Sequence, residues 1–495
     1  MMKRVIPWTV CAVFVAFIAA SAPGWRATSH EGFDLAGFGR LPVGFSGRVR
    51  PMDSVARMGL LQVRGTLDVP LGRGDSRWPI GGTRLSATEW LLEVLVKPDV
   101  ADTRRIFPIA DATLLSKLQL KPAPDAAGYF TFKEIAPRNG QISTEATRIS
   151  KILPAKQAPW ERQLVALRFR LASYERLKNS LQANSLLQGD AKGAPLQYNF
   201  TQLLTAYRAN LAETARVAAQ RQRGNKNASL DPAKAADMMA FVRPFTAVSK
   251  LSVIATIPPP RPGDSRNGWM NIGAVIVASA RTAKLPAPVT QLAAISSEFA
   301  SGNPATFNRL VDAYQRWLAS NAMGPALRRA RYEFFYNLLQ PYAKAVALYL
   351  VAVIFLCAGW KGRSGMLYRS GVLVAALAIA LHSTGLLLDM MLTGRLPVFS
   401  GLALMALCSW AIAVGTFVFE RSSGRRLLAI GAAVALLTLV TAHAFSAAGL
   451  TLLVAEVASV PFAIAVALAL ALVVLPLARE RAVRAPAAEA APVPA

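Results

Sequence analysis

The stretch Leu381-His382-Ser383-Thr384-Gly385-Leu386-Leu387-Leu388-Asp389, followed by Thr393-Gly394-Arg395-Leu396-Pro397, decides how this chain is read. It closes one long apolar segment, turns through a polar corner and opens the next. An apolar run of about 20 residues is what a helix needs to cross the hydrocarbon layer of a bilayer. One such run, roughly 370–389, ends at this corner, and another, roughly 398–419, starts after it. The corner therefore predicts a membrane hairpin. It also carries His382, one of only three histidines in the chain.

Working outward, further apolar runs lie at about 343–360, 427–446 and 450–477. The charges between the runs set the orientation. Lys361, Arg363 and Arg369 fill the first connection, Arg421, Arg425 and Arg426 the third, and Arg479, Arg481 and Arg484 follow the last run. The second connection holds only Arg395 with Asp389, and the fourth, 446–449, is uncharged. Basic loops stay on the cytoplasmic side, so the His382 corner faces outward. At the amino end Lys3 and Arg4 precede an apolar run from Val5 to Ala22. That pattern fits a cleaved signal peptide or an uncleaved anchor. Pro23 disfavours cleavage after Ala22, so the anchor is the expectation for residues 1–25.

The fold class expected is mainly α: a polytopic helical membrane protein of about six transmembrane helices, with a large, mostly helical extracytoplasmic domain. The divisions expected are an anchor at 1–25, a periplasmic domain at 26–340, a five-helix membrane domain at 341–480 and a disordered cytoplasmic tail at 481–495. Composition agrees with a split chain. The 495 residues are 53% hydrophobic yet carry a net charge of +27, a combination that one soluble domain rarely shows. The basic excess suits anionic lipid headgroups or an acidic ligand. For nucleic acid there is no zinc-finger spacing, no RNP-type aromatic motif and no helix-turn-helix. Cys11, Cys357 and Cys408 all lie in apolar runs, which excludes a disulfide framework, a Cys-x-x-Cys redox motif and a Cys-x-x-Cys-His haem site.

The soluble block reads as helices joined by short extended pieces. Its first landmark is Gly47-Arg48-Val49-Arg50-Pro51-Met52-Asp53-Ser54-Val55-Ala56-Arg57. Pro51 ends an extended segment, and Asp53 or Ser54 is expected to cap a helix running towards Arg64. Ser86 and Glu89 predict a capping box for a helix ending before Pro98, with Trp90, Leu91, Val94 and Leu95 on its apolar face. Short strands are expected at 105–109 and around 129–132. From Trp160 the stripe Leu164, Leu167, Leu171, Tyr174 and Leu177 predicts an amphipathic helix. Others are expected from Tyr198 to Arg221, from Pro232 to Val242 and from Asn303 to Leu318. Ile257-Pro258-Pro259-Pro260-Arg261-Pro262 reads as extended. No paired carboxylates, Ser-His-Asp set or phosphate loop appears, and the block's only histidine is His30.

The membrane block holds the candidate ligand positions. His382 lies about 12 residues from the cytoplasmic end of its helix and His443 about 16 from its own, or roughly 18 and 24 Å in. Imidazoles at such depth face the bundle interior. Three readings stand: both histidines meet a common cavity and ligate a haem iron, each is interhelical hydrogen-bond glue near Ser383, Thr384 or Thr441, or they contact some other ligand.

Several landmarks together resemble one family. The 47–57 stretch is similar to the Gly-Arg-(Ile/Val)-(Lys/Arg)-Pro-(Leu/Met)-Asp-(Thr/Ser) segment of the CcsA/ResC–CcsB/ResB family of System II cytochrome c biogenesis. Arg331-Tyr332-Glu333-Phe334-Phe335-Tyr336-Asn337-Leu338-Leu339-Gln340-Pro341-Tyr342 resembles its Glu-x-x-Tyr-Asn element. The His382 corner with Gly394-Arg395-Leu396-Pro397-Val398 resembles the hairpin opening its CcsA-type core. The resemblance spans most of residues 35–450 and looks like the form with a large periplasmic domain. It implies haem b as cofactor near His382 and His443. It also implies motif roles for Gly47, Arg48, Arg50, Pro51, Asp53, Glu333, Tyr336, Asn337, Arg395 and Pro397. The family's tryptophan-rich WWD segment has no counterpart, since no Trp follows Trp410, and its flanking external histidines are missing. Asp389 stands where an arginine is usual and Phe399 where an asparagine is. The expectation is a non-catalytic, non-enzymatic membrane subunit of a cytochrome c maturation complex in the bacterial inner membrane. Its partners would be a WWD-bearing CcsA-type subunit, apocytochrome c and membrane lipids, with no nucleic acid. The alternatives are a membrane-anchored scaffold without cofactor and a solute transporter, the latter supported only by Gly385 and Pro461.

Overall fold

The structure is a computed structural model. It describes residues 2–20, 32–71, 84–123, 128–182, 200–225, 227, 229–260, 268–360, 365–394, 401–423 and 427–445. The chain divides into two compact units. One is Arg26–Phe334; the other joins Met1–Trp25 to Phe335–Ala495. The described residues are mainly helical.

The amino-terminal α1 (Met2–Ala20) belongs to the second unit. The first unit opens with α2 (Leu35–Gly39), where the Asp34 carboxylate accepts from the Gly37 N–H at 2.7 Å and satisfies one of the helix's free donors. A two-stranded hairpin follows, β1 (Pro42–Phe45) against β2 (Arg48–Pro51), with Phe45 opposite Arg48. Ser46 and Gly47 have φ of +49° and +77°, the left-handed pair that a two-residue turn needs to match the strand twist. On its other side Gly44 exchanges two 2.8 Å backbone hydrogen bonds with Ala255. A Cβ at Gly44 would lie 2.8 Å from the Trp269 side chain, so only glycine allows this approach.

From β2 the chain enters α3 (Met52–Val63) directly. The helix expected from Asp53 or Ser54 is present, but neither side chain caps it. Pro51 is the cap residue and makes no side-chain cap bond. Both polar groups turn inward to tertiary partners instead. Next come β3 (Asp68–Pro70) paired with β4 (Arg84–Ser86), then α4 (Ala87–Val96). The Ser86 hydroxyl accepts from the Glu89 N–H at 3.2 Å, as the Ser-x-x-Glu pattern implies. The expected apolar face is buried, and so are Leu92 and Val96. The polar Glu93 among them is held by a two-pronged contact with Arg104 at 2.8 and 2.6 Å.

The chain continues through α5 (Pro98–Ala101), β5 (Phe107–Pro108), α6 (Ala112–Lys117), β6 (Tyr129–Phe130), α7 (Phe132–Ile135) and α8 (Asn139–Ile149) to α9 (Pro159–Lys178). β5 and β6 pair antiparallel inside the two expected strand regions. In α9 the stripe Leu164, Leu167, Leu171, Tyr174 and Leu177 is buried as its spacing requires. Tyr174 meets Phe107 edge-on and Trp90 at a tilt.

α10 (Phe200–Gln222) and α11 (Pro232–Leu251) stack Tyr207 on Phe241 and Phe200 on Phe245. The expected stop at Val242 is wrong, because α11 runs through Pro244 for two more turns. An interior proline costs about 3 kcal/mol. Burying Phe245 and Val248, both about fully enclosed, returns roughly 1.5–3 kcal/mol each and outweighs it. The neighbouring α12 (Ile272–Thr282) approaches α11 closely, since a Cβ at Gly273 would lie 2.5 Å from the Ser249 nitrogen. α13 (Ala287–Ala300) and α14 (Pro304–Ser320) complete the core, with Asn303 capping α14 and Phe299, Phe307 and Phe33 in mutual ring contact. α15 (Gly324–Leu339) carries the division between the units.

The second unit contains α16 (Pro341–Gly359), α17 (Gly365–Thr393), α18 (Gly401–Ser423) and α19 (Leu428–Phe445). Gln340, at φ +45°, breaks α15 from α16 ahead of Pro341. Among the described residues three stretches are long and apolar enough to cross a membrane: Gly324–Gly359, Gly365–Thr393 and Ala403–Ser422. Val5–Ala16 and Leu428–Ala442 are shorter apolar helices. The last expected span, 450–477, lies outside the described residues, as do His30 and the tail at 481–495. α16 and α17 pack through small residues, as helices in lipid do. Gly371 lies against Leu356, and Gly359 against Tyr368, each closer than a Cβ would allow. The Glu420 carboxylate of α18 accepts from the Leu428 N–H at 2.8 Å, an acidic cap at the positive end of α19. The same carboxylate accepts from the Tyr368 hydroxyl.

Candidate functional site

Two groups of the singled-out residues are brought together, one in each unit. In the first, Arg48 and Arg50 are two apart on β2 and so project to the same face. Both reach Glu333 on α15. The Glu333 Oε1 lies 3.3 Å from the Arg50 guanidinium and 3.6 Å from that of Arg48. It also accepts from the Ser54 hydroxyl at 2.7 Å. Glu333 and Ser54 are buried, whereas the Arg48 side chain is 42% exposed. One carboxylate thus serves two cations. Burial, and then the charge of Arg48, pull the Arg50 guanidinium below its ordinary value, while Glu333 opposes the shift.

Asp53 is buried one residue before Ser54. It accepts from Arg57 at 2.9 Å and from the Thr88 hydroxyl of α4 at 3.2 Å. Pro51 ends β2, and Gly47 supplies the hairpin turn. The 47–57 stretch is therefore a strand-to-helix corner tied to α4 on one side and to α15 on the other. The first tie uses Thr88 and the second Ser54; neither tie has a local signal in sequence, because the partners lie 35 and 279 residues away.

In the second unit His382 sits on α17, fully enclosed. Tyr349 of α16 places its hydroxyl 3.4 Å from His382 Nδ1, a long contact. The Tyr342 ring meets the imidazole edge-on at 5.6 Å. Gly385, one turn on, leaves room for that ring: a Cβ there would lie 2.9 Å from it. A further turn on, Asp389 accepts from the Tyr342 hydroxyl at 3.0 Å. His382, Gly385 and Asp389 thus form one face of α17 laid against Tyr342. The helix continues past the expected end at Asp389 to Thr393, so Asp389 belongs to this face and not to the turn. Ser383, beside the histidine, accepts from Trp410 Nε1 of α18 at 2.7 Å.

The imidazole's other nitrogen, Nε2, has no hydrogen-bond partner among the described residues. The Ala406 carbonyl of α18 faces the ring without meeting hydrogen-bond geometry. Thr384 and Thr441 bond back to Ala380 and Leu437 of their own helices and take no part. His443 falls on α19, and its side chain lies outside the described residues, as do Arg395 and Pro397. Tyr336 meets Tyr342 edge-on at 6.3 Å, with Asn337 next to it on α15. Tyr342 and Tyr349 carry the polar contacts of His382 and Asp389, yet in sequence they are two aromatics in an apolar run. Among the described residues no cluster of three or more His, Cys, Asp or Glu side chains could hold a metal ion.

Comparison with protein-family models and with curated proteins gives no match.

Proposed function

We propose that the chain is a non-catalytic membrane subunit of a System II cytochrome c maturation complex, acting in haem delivery to apocytochrome. The observation that supports this most is Glu333. Two short stretches resembling the CcsA/ResC–CcsB/ResB family, 47–57 and 331–342, are separated by most of the outer unit's sequence. A chance likeness would put no constraint on their distance in space. Here they meet through a buried carboxylate bonded to Ser54 and Arg50. In this reading the chain makes about six crossings of the bacterial inner membrane. The unit Arg26–Phe334 lies in the periplasm, a WWD-bearing CcsA-type subunit is the partner, and basic loops hold the anionic lipid face.

The His382 site fits haem b in its donor chemistry. A neutral imidazole with its proton on Nδ1, donated to the Tyr349 oxygen, leaves the Nε2 lone pair free for iron. That nitrogen is buried and has no partner among the described residues, and a buried polar atom of that kind calls for one. His382 would hold the iron, Tyr349 would fix the tautomer, and Tyr342 would fix the ring plane, with His443 the other candidate contact. Bound haem is the group to be delivered.

A second reading is a membrane-anchored scaffold without cofactor. The Ala406 carbonyl facing the ring favours it, because a proton on Nε2 would point there and leave no lone pair for iron. An absorption spectrum separates the two. Protein purified in detergent from haem-replete cells is expected to show a Soret band that His382→Ala removes or shifts. The same is expected of His443→Ala. A wild-type preparation with no Soret band would leave the scaffold.

A further inference from the structure

The tip of the β1–β2 hairpin borders a cavity of ≈ 340 Å³ in the outer unit, lined by Gly44, Phe45, Arg48, Val253, Ala255 and Trp269 together with the turn residues. We infer that this cavity is a binding pocket for a carboxylate carried on a short apolar body, with Arg48 as the charge that receives it. Three observations lead there.

The first is charge. Glu333 accepts from Ser54 and lies nearest to Arg50, so the buried arginine is already compensated. Arg48, at 3.6 Å and 42% exposed, shares the same single negative charge. The corner has one cation in excess, and it is the one that reaches the cavity wall. Arginine's planar fork is the side chain best suited to a carboxylate.

The second is shape and chemistry. Phe45, Val253, Ala255 and Trp269 contribute apolar lining, and Gly47, with nothing within 4 Å of where a Cβ would stand, leaves the turn side open. The volume is at the lower end of small-ligand pockets, enough for one aromatic or aliphatic side chain. The third is an unused donor. The Trp269 Nε1 is buried and has no acceptor among the described residues, whereas a buried indole N–H usually finds one. The ligand chemistry is therefore an anionic oxygen pair attached to an apolar group. A peptide's C-terminal residue and a free arylalkanoic acid both have it.

The test uses the full chain in detergent micelles with 5-fluorotryptophan, the 269 resonance being assigned with Trp269→Phe. Three probes are titrated: N-acetyl-phenylalanine, its C-terminal amide and 3-phenylpropionate. The free acid is expected to shift the 269 resonance saturably. The amide is expected to bind about tenfold more weakly or not at all, the loss typical of a charge-assisted hydrogen bond. Arg48→Gln is expected to weaken the acid to the level of the amide, and Arg48→Lys to retain saturable binding. An unmoved resonance in ligand-free Arg48→Gln shows that the hairpin still packs on Trp269. Equal binding of N-acetyl-phenylalanine and 3-phenylpropionate assigns the pocket to free acids, and preference for the former assigns it to peptide C-termini. No shift with either acid overturns the inference, as does an amide that binds equally well, or an Arg48→Gln variant that binds like the wild type.

Discussion

Glu333→Ala is expected to destabilise the unit Arg26–Phe334 by about 3–5 kcal/mol, the usual cost of breaking a buried ion pair from one side. The magnitude follows from what is left behind. Arg50, whose side chain is 18% exposed, keeps its charge in a partly buried site beside another cation. The Ser54 hydroxyl, 4% exposed, loses its 2.7 Å acceptor. Glu333→Gln keeps an oxygen for Ser54 and loses only the charge, so its cost is expected to be smaller. Arg48→Ala is expected to cost under about 1 kcal/mol, because an exposed pair is screened and contributes little. The ranking Ala, then Gln at 333, then Ala at 48 is the signature. Pulse proteolysis of the full chain across a urea series reads it. With 1.4 kcal/mol per tenfold, Glu333→Ala raises the open population by roughly a hundredfold to a few thousandfold. Equal midpoints for Glu333→Ala and Arg48→Ala would show that the carboxylate is not the knot described.

That knot marks the limit of what could be read in the sequence. Local patterns were legible. The α9 stripe follows a helical period, Ser86 and Glu89 follow a cap, and three of the apolar runs become described helices long enough to match the thickness of a bilayer. Each depends on residues three, four or about twenty positions apart. Glu333 and Ser54 are 279 residues apart, and nothing near Ser54 distinguishes a helix cap from a tertiary ligand. Its chemistry suits both, and the tertiary carboxylate won. The helix expected to stop at Val242 runs on for a similar reason: the backbone penalty of Pro244 is local, whereas the burial of Phe245 and Val248 against neighbouring helices is not. At His382 the histidine itself stood out by rarity. Its neighbours Tyr342 and Tyr349 did not, because their hydroxyls matter only once α16 lies against α17.

The pair Asp102 and Lys178 was invisible for the same reason, and it carries the other large effect. Lys178, the last residue of α9, places Nζ 2.8 and 3.0 Å from the two Asp102 oxygens. Both residues are 9% exposed. The Tyr174 hydroxyl donates to the same carboxylate at 2.8 Å, and the ammonium sits 4.3 Å from the Phe132 ring centroid. Lys178→Met leaves a buried carboxylate with, among the described residues, only the Tyr174 hydroxyl as donor, and the expected loss is about 3–5 kcal/mol. The pair as a whole is a different matter, since desolvating two charges offsets much of their attraction. Asp102→Leu combined with Lys178→Met is therefore expected to recover most of that loss. The remainder, about 1–3 kcal/mol, is the Tyr174 hydroxyl left without an acceptor, and adding Tyr174→Phe is expected to remove it. If the double variant is as unstable as Lys178→Met alone, the attraction of the pair exceeds its desolvation and the reasoning fails. Tyr174 also gives the site a pH dependence of definite sign. Burial first, and the adjacent carboxylate second, raise its pKa well above the ordinary 10. A group raised in the folded state contributes stability that is complete below its unfolded pKa and is lost as the pH climbs past it. Stability of the wild type is expected to fall as the pH rises beyond about 10, and Tyr174→Phe to flatten that fall; an unchanged slope in the variant would assign alkaline unfolding to other groups.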